Sequence, residues 1–279
     1  MRLKLTTNQG DQMKKRLLCL IPLLLLLFVV AWKTVDNEYG VFIGASDSEI
    51  SRIVKYQTVV IEPTAFSKEN VEYLQAAGCT VYGYLNIGSL EEYRDYYSEF
   101  KDITLGDYEG WDDEKWIDVS NEAWQDYIVN TVAADYADLG LDGFFVDNAD
   151  VYYEYPESKI YLGLVSILQG LRKYGLNVII NGGDVFVSEC IDDNIATGLF
   201  YGVNQESVFT SVNFDDGTFG VQDEETTEYY KEYLHKASRA GLEVYVIEYD
   251  ASGVNWVKAK SYFDKKGYYW YNSPDLNLD

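Results

Sequence analysis

The feature that most constrains the fold is a regular alternation of short apolar segments with amphipathic ones. The apolar segments are rich in Val, Ile, Phe and Tyr and carry few polar residues, which is typical of strands buried on both faces of a parallel sheet. The pattern predicts eight strands, at Tyr39–Ala45, Thr58–Glu62, Thr80–Ile87, Gly143–Asp147, Asn177–Asn181, Gly198–Asn204, Glu243–Tyr249 and Tyr268–Tyr271.

The amphipathic segments predict the helices that connect these strands. In five cases a glycine stands between the end of the predicted helix and the next strand. Glycine readily adopts the left-handed conformation that ends a helix. We expect helices at Asp47–Tyr56, Ser67–Ala77, Asn121–Leu139, Lys159–Tyr174, Gln222–Ala240 and Asn255–Lys266.

Eight strands that alternate with helices over about 240 residues favour a (β/α)8 TIM barrel. We expect one domain over residues 34–279, with an elaborated loop from Asp102 to Asp118. A doubly wound open sheet is the second interpretation. No Gly-x-Gly-x-x-Gly motif or P-loop follows a strand, so the sequence does not support a nucleotide cofactor.

Residues 1–33 have the composition of a signal peptide or membrane anchor. Three basic residues at 14–16 precede an apolar run from Leu17 to Trp32. This run is slightly shorter than the ~20 residues of a spanning helix, so a cleaved signal and an uncleaved anchor both remain open. The basic residues predict that the barrel is secreted or held at the cell surface, with membrane contact only through this segment.

The charge of the chain restricts its partners. The sequence has 22 Lys and Arg against 46 Asp and Glu, a formal charge of −24. Binding to phosphate backbones needs a basic face, so a generic nucleic-acid binder is excluded. An acidic surface favours cationic polymers, although the same charge also keeps an exported protein soluble.

The histidine and cysteine content restricts the chemistry. His235 is the only histidine, which removes His-dependent nucleophilic triads and paired-His metal motifs and disfavours a metal-dependent polysaccharide deacetylase. Carboxylates therefore remain as the groups for proton transfer. Cys79 and Cys190 do not form a metal-binding cluster, and a disulfide or two buried thiols both remain open.

Polar residues follow the apolar strands, where a barrel places its functional groups. Asp147 comes directly after the apolar Phe144-Phe145-Val146, Glu206 interrupts a strand pattern, and Glu248 ends another strand. Other strand ends carry Glu62, Tyr84, Asn86, Asn148, Asn181 and Asn272. Two carboxylates that face each other across a pocket fit glycoside hydrolysis. Candidate aromatic residues for stacking on sugars are Tyr84, Trp111, Trp116, Tyr152, Tyr153, Tyr201, Tyr249 and Tyr271.

Five sequence blocks together indicate a known family. They are residues 83–94 (GYLNIGSLEEYR), 116–119 (WIDV), 143–148 (GFFVDN), 204–207 (NQES) and 246–249 (VIEY). With these blocks in this order, the chain resembles glycoside hydrolase family 114, the endo-α-1,4-polygalactosaminidases. It is also similar to the hydrolase domain of the Pel polysaccharide proteins. The resemblance covers about residues 39–274.

The resemblance implies a (β/α)8 barrel that cleaves galactosamine-rich exopolysaccharide without a metal or other cofactor. Related α-glycosidase barrels carry a nucleophilic Asp after the fourth strand and an acid/base after the sixth. The resemblance therefore assigns Asp147 as nucleophile and Glu206 as acid/base, with retention of configuration. It assigns to the sugar subsites Tyr84, Asp118, Asn148, Glu248 and Tyr249. The alternative is a non-catalytic barrel that binds an amino-sugar polysaccharide and assists its export.

Overall fold

A computed structural model describes residues 37–214 and 216–279, and within them eight parallel strands form one sheet. Each strand pairs with its successor in the chain, and the last contacts the first, so the sheet curves into a nearly closed barrel. The strands are β1 Asn37–Phe42, β2 Tyr56–Ile61, β3 Thr80–Asn86, β4 Gly143–Asp147, β5 Asn177–Asn181, β6 Gly202–Glu206, β7 Glu243–Tyr249 and β8 Tyr269–Ser273.

Helices connect the barrel strands, as in a (β/α)8 barrel. The α-helices of the described residues are Ile50–Ile53, Lys68–Ala76, Tyr97–Phe100, Glu122–Tyr127, Ala133–Leu139, Val151–Glu154, Ser158–Leu171, Asp184–Asp192, Ala196–Leu199, Glu224–Arg239 and Gly253–Lys266. A π-helical turn, Ile128–Val132, joins two of them, and 3-10 turns lie at Asp47–Glu49, Pro63–Ala65, Lys101–Ile103 and Arg172–Tyr174.

The five predicted glycine stops have the expected backbone conformation. Their φ angles lie between +69° and +99°, at Gly78, Gly140, Gly175, Gly241 and Gly267. A side chain at these positions would be strained, because L-residues rarely adopt positive φ. The glycines therefore end each helix and turn the chain towards the following strand.

Two small antiparallel sheets lie outside the barrel sheet. The chain after β3 forms a three-stranded sheet of Ser89–Glu91, Thr104–Asp107 and Glu114–Ile117. The chain after β6 forms a hairpin of Thr210–Asn213 with Thr218–Val221. The elaborated loop predicted for residues 102–118 therefore contains two strands of the three-stranded sheet. Both insertions follow the C-terminal ends of barrel strands, where a barrel places its active site.

Several sequence predictions were wrong in detail. The strand predicted at Gly198–Asn204 begins only at Gly202, and the chain just before it forms the helix Ala196–Leu199. Leu199 and Phe200 are buried, and a buried helix end and a buried strand have the same apolar pattern. The helix predicted to reach Tyr56 stops at Ile53.

The doubly wound sheet is excluded by the sequential strand order and by the contact of β8 with β1.

Two further predictions concern the cysteines and the leader. Cys79 and Cys190 are both buried as thiols, so the disulfide left open by the sequence is not formed.

The leader predicted at residues 1–33 lies outside the described residues. Within the described part of the chain, no helix is both long enough and apolar enough to cross a membrane.

One close helix contact tests the packing of the barrel. A Cβ at Gly163, in the helix Ser158–Leu171, would lie 2.4 Å from the backbone oxygen of Val119. We expect Gly163→Ala to lower the free energy of unfolding by about 1–3 kcal/mol, because the backbone must move to admit the methyl group. The measurement is urea unfolding followed by circular dichroism. Gly198→Ala is the matched control, since its Cβ would meet no atom within 4 Å. Equal stability of the two variants would contradict this packing.

Candidate active site

Asp147 and Glu206 meet at the C-terminal end of the barrel. Asp147 ends β4, Glu206 ends β6, and Asn181 ends β5, which lies between them. The Asn181 amide nitrogen, Nδ2, donates to Asp147 Oδ1 at 2.9 Å and to Glu206 Oε1 at 2.8 Å. The sum of these two distances, 5.7 Å, is the largest separation that the two acceptor oxygens can have. The two acids therefore face one small volume.

A chain of hydrogen bonds orients the Asn181 amide. Its oxygen accepts from Asn204 Nδ2 at 2.6 Å, and Asn204 Oδ1 accepts from the Tyr39 hydroxyl at 3.0 Å. Asn204 and Tyr39 are fully buried, on β6 and β1. Because the amide oxygen is engaged with Asn204, the amide nitrogen has to point towards the two acids. The barrel interior thus sets the position of both carboxylates.

Each acid also accepts a hydrogen bond from a tyrosine. The Tyr84 hydroxyl donates to Asp147 Oδ2 at 3.0 Å, and the Tyr249 hydroxyl donates to Glu206 Oε2 at 2.5 Å. Both tyrosines are almost completely buried. These bonds hold the remaining carboxylate oxygens and restrict the rotation of both side chains.

Burial raises the pKa of Asp147 to about 8, and the negative charge of Glu206 contributes in the same direction. The hydrogen bonds from Asn181 and Tyr84 oppose this shift, since they stabilise the ionised carboxylate. The raised pKa favours the protonated form of Asp147 at neutral pH. Asp147 therefore holds a proton that the site can use in acid–base chemistry.

The acids open into an acidic cleft of about 480 Å³. Its lining includes seven carboxylates, those of Glu62, Glu91, Asp113, Glu114, Asp147, Asp150 and Glu206. No Lys, Arg or His side chain is among the described residues that line it. Arg94 is buried beside the cleft, where it binds Glu62 at 3.1 Å and Glu91 at 2.6 Å. This pairing offsets only part of the negative charge.

Burial also shifts two further carboxyl groups that line the cleft. It raises the pKa of Glu114 to about 7 and that of Asp150 to about 6. Glu114 accepts a hydrogen bond from the Ser89 hydroxyl at 2.7 Å, and Asp150 accepts one from the Gly183 amide at 3.0 Å. A cationic ligand would favour the ionised form of each group.

Three of the five subsite residues implied by the resemblance line the cleft, namely Tyr84, Asn148 and Tyr249. Asp118 lies elsewhere, bonded to the Ser120 hydroxyl at 2.5 Å and to Lys159 at 3.3 Å. Glu248 is fully buried and does not line the cleft. Its carboxylate accepts from the backbone of Phe209 at 2.9 Å and of Thr210 at 2.8 Å. Glu248 thus anchors the chain that enters the hairpin.

The candidate stacking residues divide in the same way. Tyr84, Trp111 and Tyr249 line the cleft, and Trp116 and Tyr153 line a cavity next to it. The other three have different surroundings. Tyr152 donates to Glu189, Tyr201 precedes β6 at the opposite end of the barrel, and Tyr271 packs against Phe42 and Tyr56.

The sequence did not reveal the roles of four residues in or beside the cleft. Asn181 stands at a predicted strand end, but its residue type does not reveal that it bridges two acids. Asp150 comes three residues after Asp147 and looks like an ordinary residue at the start of a helix. Glu91 and Arg94 lie in a recognised block, yet their spacing alone does not show that they pair with each other and with Glu62.

The sequence profile of glycoside-hydrolase family GH114 matches residues 30–278. The chain belongs to this family. The family resemblance found in the sequence is thereby confirmed, and the protein is a glycoside hydrolase. An uncharacterized protein of Thermotoga maritima is 22% identical over 240 residues, which is 78% of this chain and 70% of the relative.

Solved structures support the fold of this GH114 member. The glycoside hydrolase domain of PelA from Pseudomonas aeruginosa aligns with a TM-score of 0.75 at 18% identity, over 87% of this chain and 96% of that domain. Ega3 of Aspergillus fumigatus, solved in complex with galactosamine, aligns with a TM-score of 0.68 at 16% identity. That alignment covers 89% of this chain and 95% of Ega3.

The pairing of the two acids can be tested by titration. We expect Glu206→Gln to lower the pKa of Asp147 from about 8, because the substitution removes a negative charge. The pKa should stay above the usual value of ~3.9, since burial remains. The measurement is carbon-13 NMR titration of the Asp147 carboxyl group. Asp118→Asn is the control and should leave the pKa of Asp147 unchanged, because Asp118 does not line the cleft. An unchanged pKa in Glu206→Gln would show that the acids do not interact.

Proposed function

We propose that the protein hydrolyses α-1,4-linked, galactosamine-rich exopolysaccharide with Asp147 and Glu206 as the catalytic pair. The observation that carries the proposal is the single Asn181 amide that bonds both carboxylates at the base of an acidic cleft. Glycosidases use two carboxyl groups on either side of the scissile bond, and family membership supports this reaction class.

In the proposed mechanism, Asp147 attacks the anomeric carbon and Glu206 protonates the leaving oxygen. The resulting glycosyl ester is then hydrolysed by a water molecule that Glu206 deprotonates. Retaining enzymes hold their carboxyl groups ~5–5.5 Å apart, whereas inverting enzymes need ~6.5–9.5 Å to admit a water molecule. The limit of 5.7 Å on the bridged oxygens supports retention.

These roles require a defined position for the shared proton. The raised pKa of Asp147 means that the unliganded pair carries its proton on this residue. Attack by Asp147 therefore requires the proton to lie on Glu206, beside the glycosidic oxygen, once the sugar is bound. The Asn181 and Tyr84 donors then stabilise the ionised nucleophile.

The charge of the cleft supports a cationic substrate. Seven carboxyl groups line the cleft, and no basic side chain is among its described lining residues. This charge repels acidic sugars and attracts the ammonium group of a de-N-acetylated amino sugar. The galactosamine bound to Ega3, a structural neighbour of the same fold, supports galactosamine as that sugar.

We propose further that this reaction takes place outside the cytoplasm. The proposal is supported by the basic residues at 14–16 and the apolar run that follows them. Fractionation of cells that produce the full chain tests it, since protein found only in the cytosol would contradict it.

Turnover by matched variants tests the catalytic pair. We expect Asp147→Asn and Glu206→Gln to lower turnover of galactosaminogalactan or Pel polysaccharide about 10²–10⁴-fold, because each loses a group needed for proton transfer or attack. Asp118→Asn should keep full activity, since Asp118 does not line the cleft. The products are followed by mass spectrometry, with β-linked chitosan as a control polymer. Absence of turnover by the wild type would favour the non-catalytic binding barrel.

The pH dependence follows from the shared proton. We expect kcat/KM to fall as the pH rises through about 8, because Asp147 then loses the proton that has to pass to Glu206, the general acid. The measurement is initial rate against pH on the same polymer at constant ionic strength. A rate that keeps rising beyond pH 9 would contradict the pairing.

A further inference from the structure

A second cavity adjoins the catalytic cleft. Its volume is about 800 Å³, and it shares Tyr108, Asp150 and Phe214 with the lining of the cleft. The three-stranded insertion and the hairpin both contribute to its walls, which include Trp116 and Val212. The two cavities are therefore neighbours along one groove-like surface, and the mechanism proposed above uses only the first.

Exposed aromatic side chains are concentrated along this groove. Tyr153 is 64% exposed, Phe214 is 55% exposed and Trp111 is 41% exposed. The rings of Trp111 and Phe214 contact each other, with their centroids 6.2 Å apart. Trp111 belongs to the three-stranded insertion and Phe214 to the turn of the hairpin, so this contact joins the two insertions. Grouped exposed aromatic rings mark a binding surface, and flat rings match the apolar faces of sugars.

The charges of the second cavity match those of the cleft. Asp107, Glu109, Asp150 and Glu154 contribute carboxylates, and no basic side chain is among its described lining residues. Asp107 is paired with Lys115 at 2.6 Å, and Asp150 with the Gly183 amide. Glu109 and Glu154 form no salt bridge within the described part of the chain. Both are thus available to a cationic group on a ligand.

We propose that the second cavity binds further amino-sugar units of the chain that is being cleaved. Tyr153 and Phe214 supply the stacking surfaces, Glu109 and Glu154 meet the ammonium groups, and Asp150 lies where the sugar chain passes between the cavities. This inference rests on the proposed function and deepens it, because it makes the preferred substrate a polymer long enough to fill both cavities.

Rates on oligomers of graded length test this site. The substrates are de-N-acetylated α-1,4-galactosamine oligomers, and the variants are Tyr153→Ala and Phe214→Ala. The ratio of kcat/KM for the longest to the shortest oligomer is expected to fall about tenfold in each variant, which corresponds to one lost stacking contact. Tyr73→Ala, at a similarly exposed tyrosine on the helix Lys68–Ala76, should leave the ratio unchanged. An unchanged ratio in both cavity variants would overturn the inference.

Binding without turnover separates this inference from the proposed reaction. The Asp147→Asn protein is titrated calorimetrically with the same oligomers, with and without Tyr153→Ala. We expect affinity to increase with oligomer length, and to decrease with Tyr153→Ala, with N-acetylation and with added salt. This result would support the second cavity even if the wild type hydrolysed nothing. Affinity that is absent, or independent of length and of Tyr153, would overturn the cavity proposal even if the wild type hydrolysed the polymer.

Discussion

The double hydrogen bond from the Asn181 amide to Asp147 and Glu206 is the interaction on which the rest of the site depends. It requires three consecutive barrel strands to end side by side, which the sequential strand order provides. It also requires the amide to face in one direction, which Asn204 and Tyr39 ensure from inside the barrel. A buried polar network of this kind is rigid when every member is satisfied. The barrel therefore supplies a preorganised pair of acids.

The two insertions supply the surface on which a polymer can lie. The three-stranded sheet after β3 carries Glu91, Glu114 and Trp111, and the hairpin after β6 carries Phe214. Glu248 connects the hairpin to the barrel, because its buried carboxylate accepts from the backbone of the first hairpin strand. Acids of similar appearance in the sequence thus have different functions: some face the cleft, and one holds the insertion in place.

The fold was largely predictable from the sequence, whereas the site was predictable only in part. Apolar periodicity and glycine stops predicted the eight strands, because burial and positive φ leave a local signature. The helix Asp184–Asp192 was not predicted, because its apolar residues lie close in sequence to the apolar residues that precede β6. The two groups could not be separated by pattern alone. Strand ends placed Asp147, Asn181, Glu206 and Glu248 at one end of the barrel. The direction of each side chain depends on neighbouring strands and insertions, so sequence did not separate Glu248, which is buried, from the acids that face the cleft.

We propose that Asn181 holds the two acids at the spacing of a retaining glycosidase. The most direct measurement is the anomeric configuration of the first-formed product, followed by proton NMR during hydrolysis of an α-1,4-galactosamine oligomer. With retention, the new reducing end should appear first as the α anomer and convert to the equilibrium mixture later. Initial release of the β anomer would contradict it, because inversion needs a water molecule between carboxyl groups that lie farther apart.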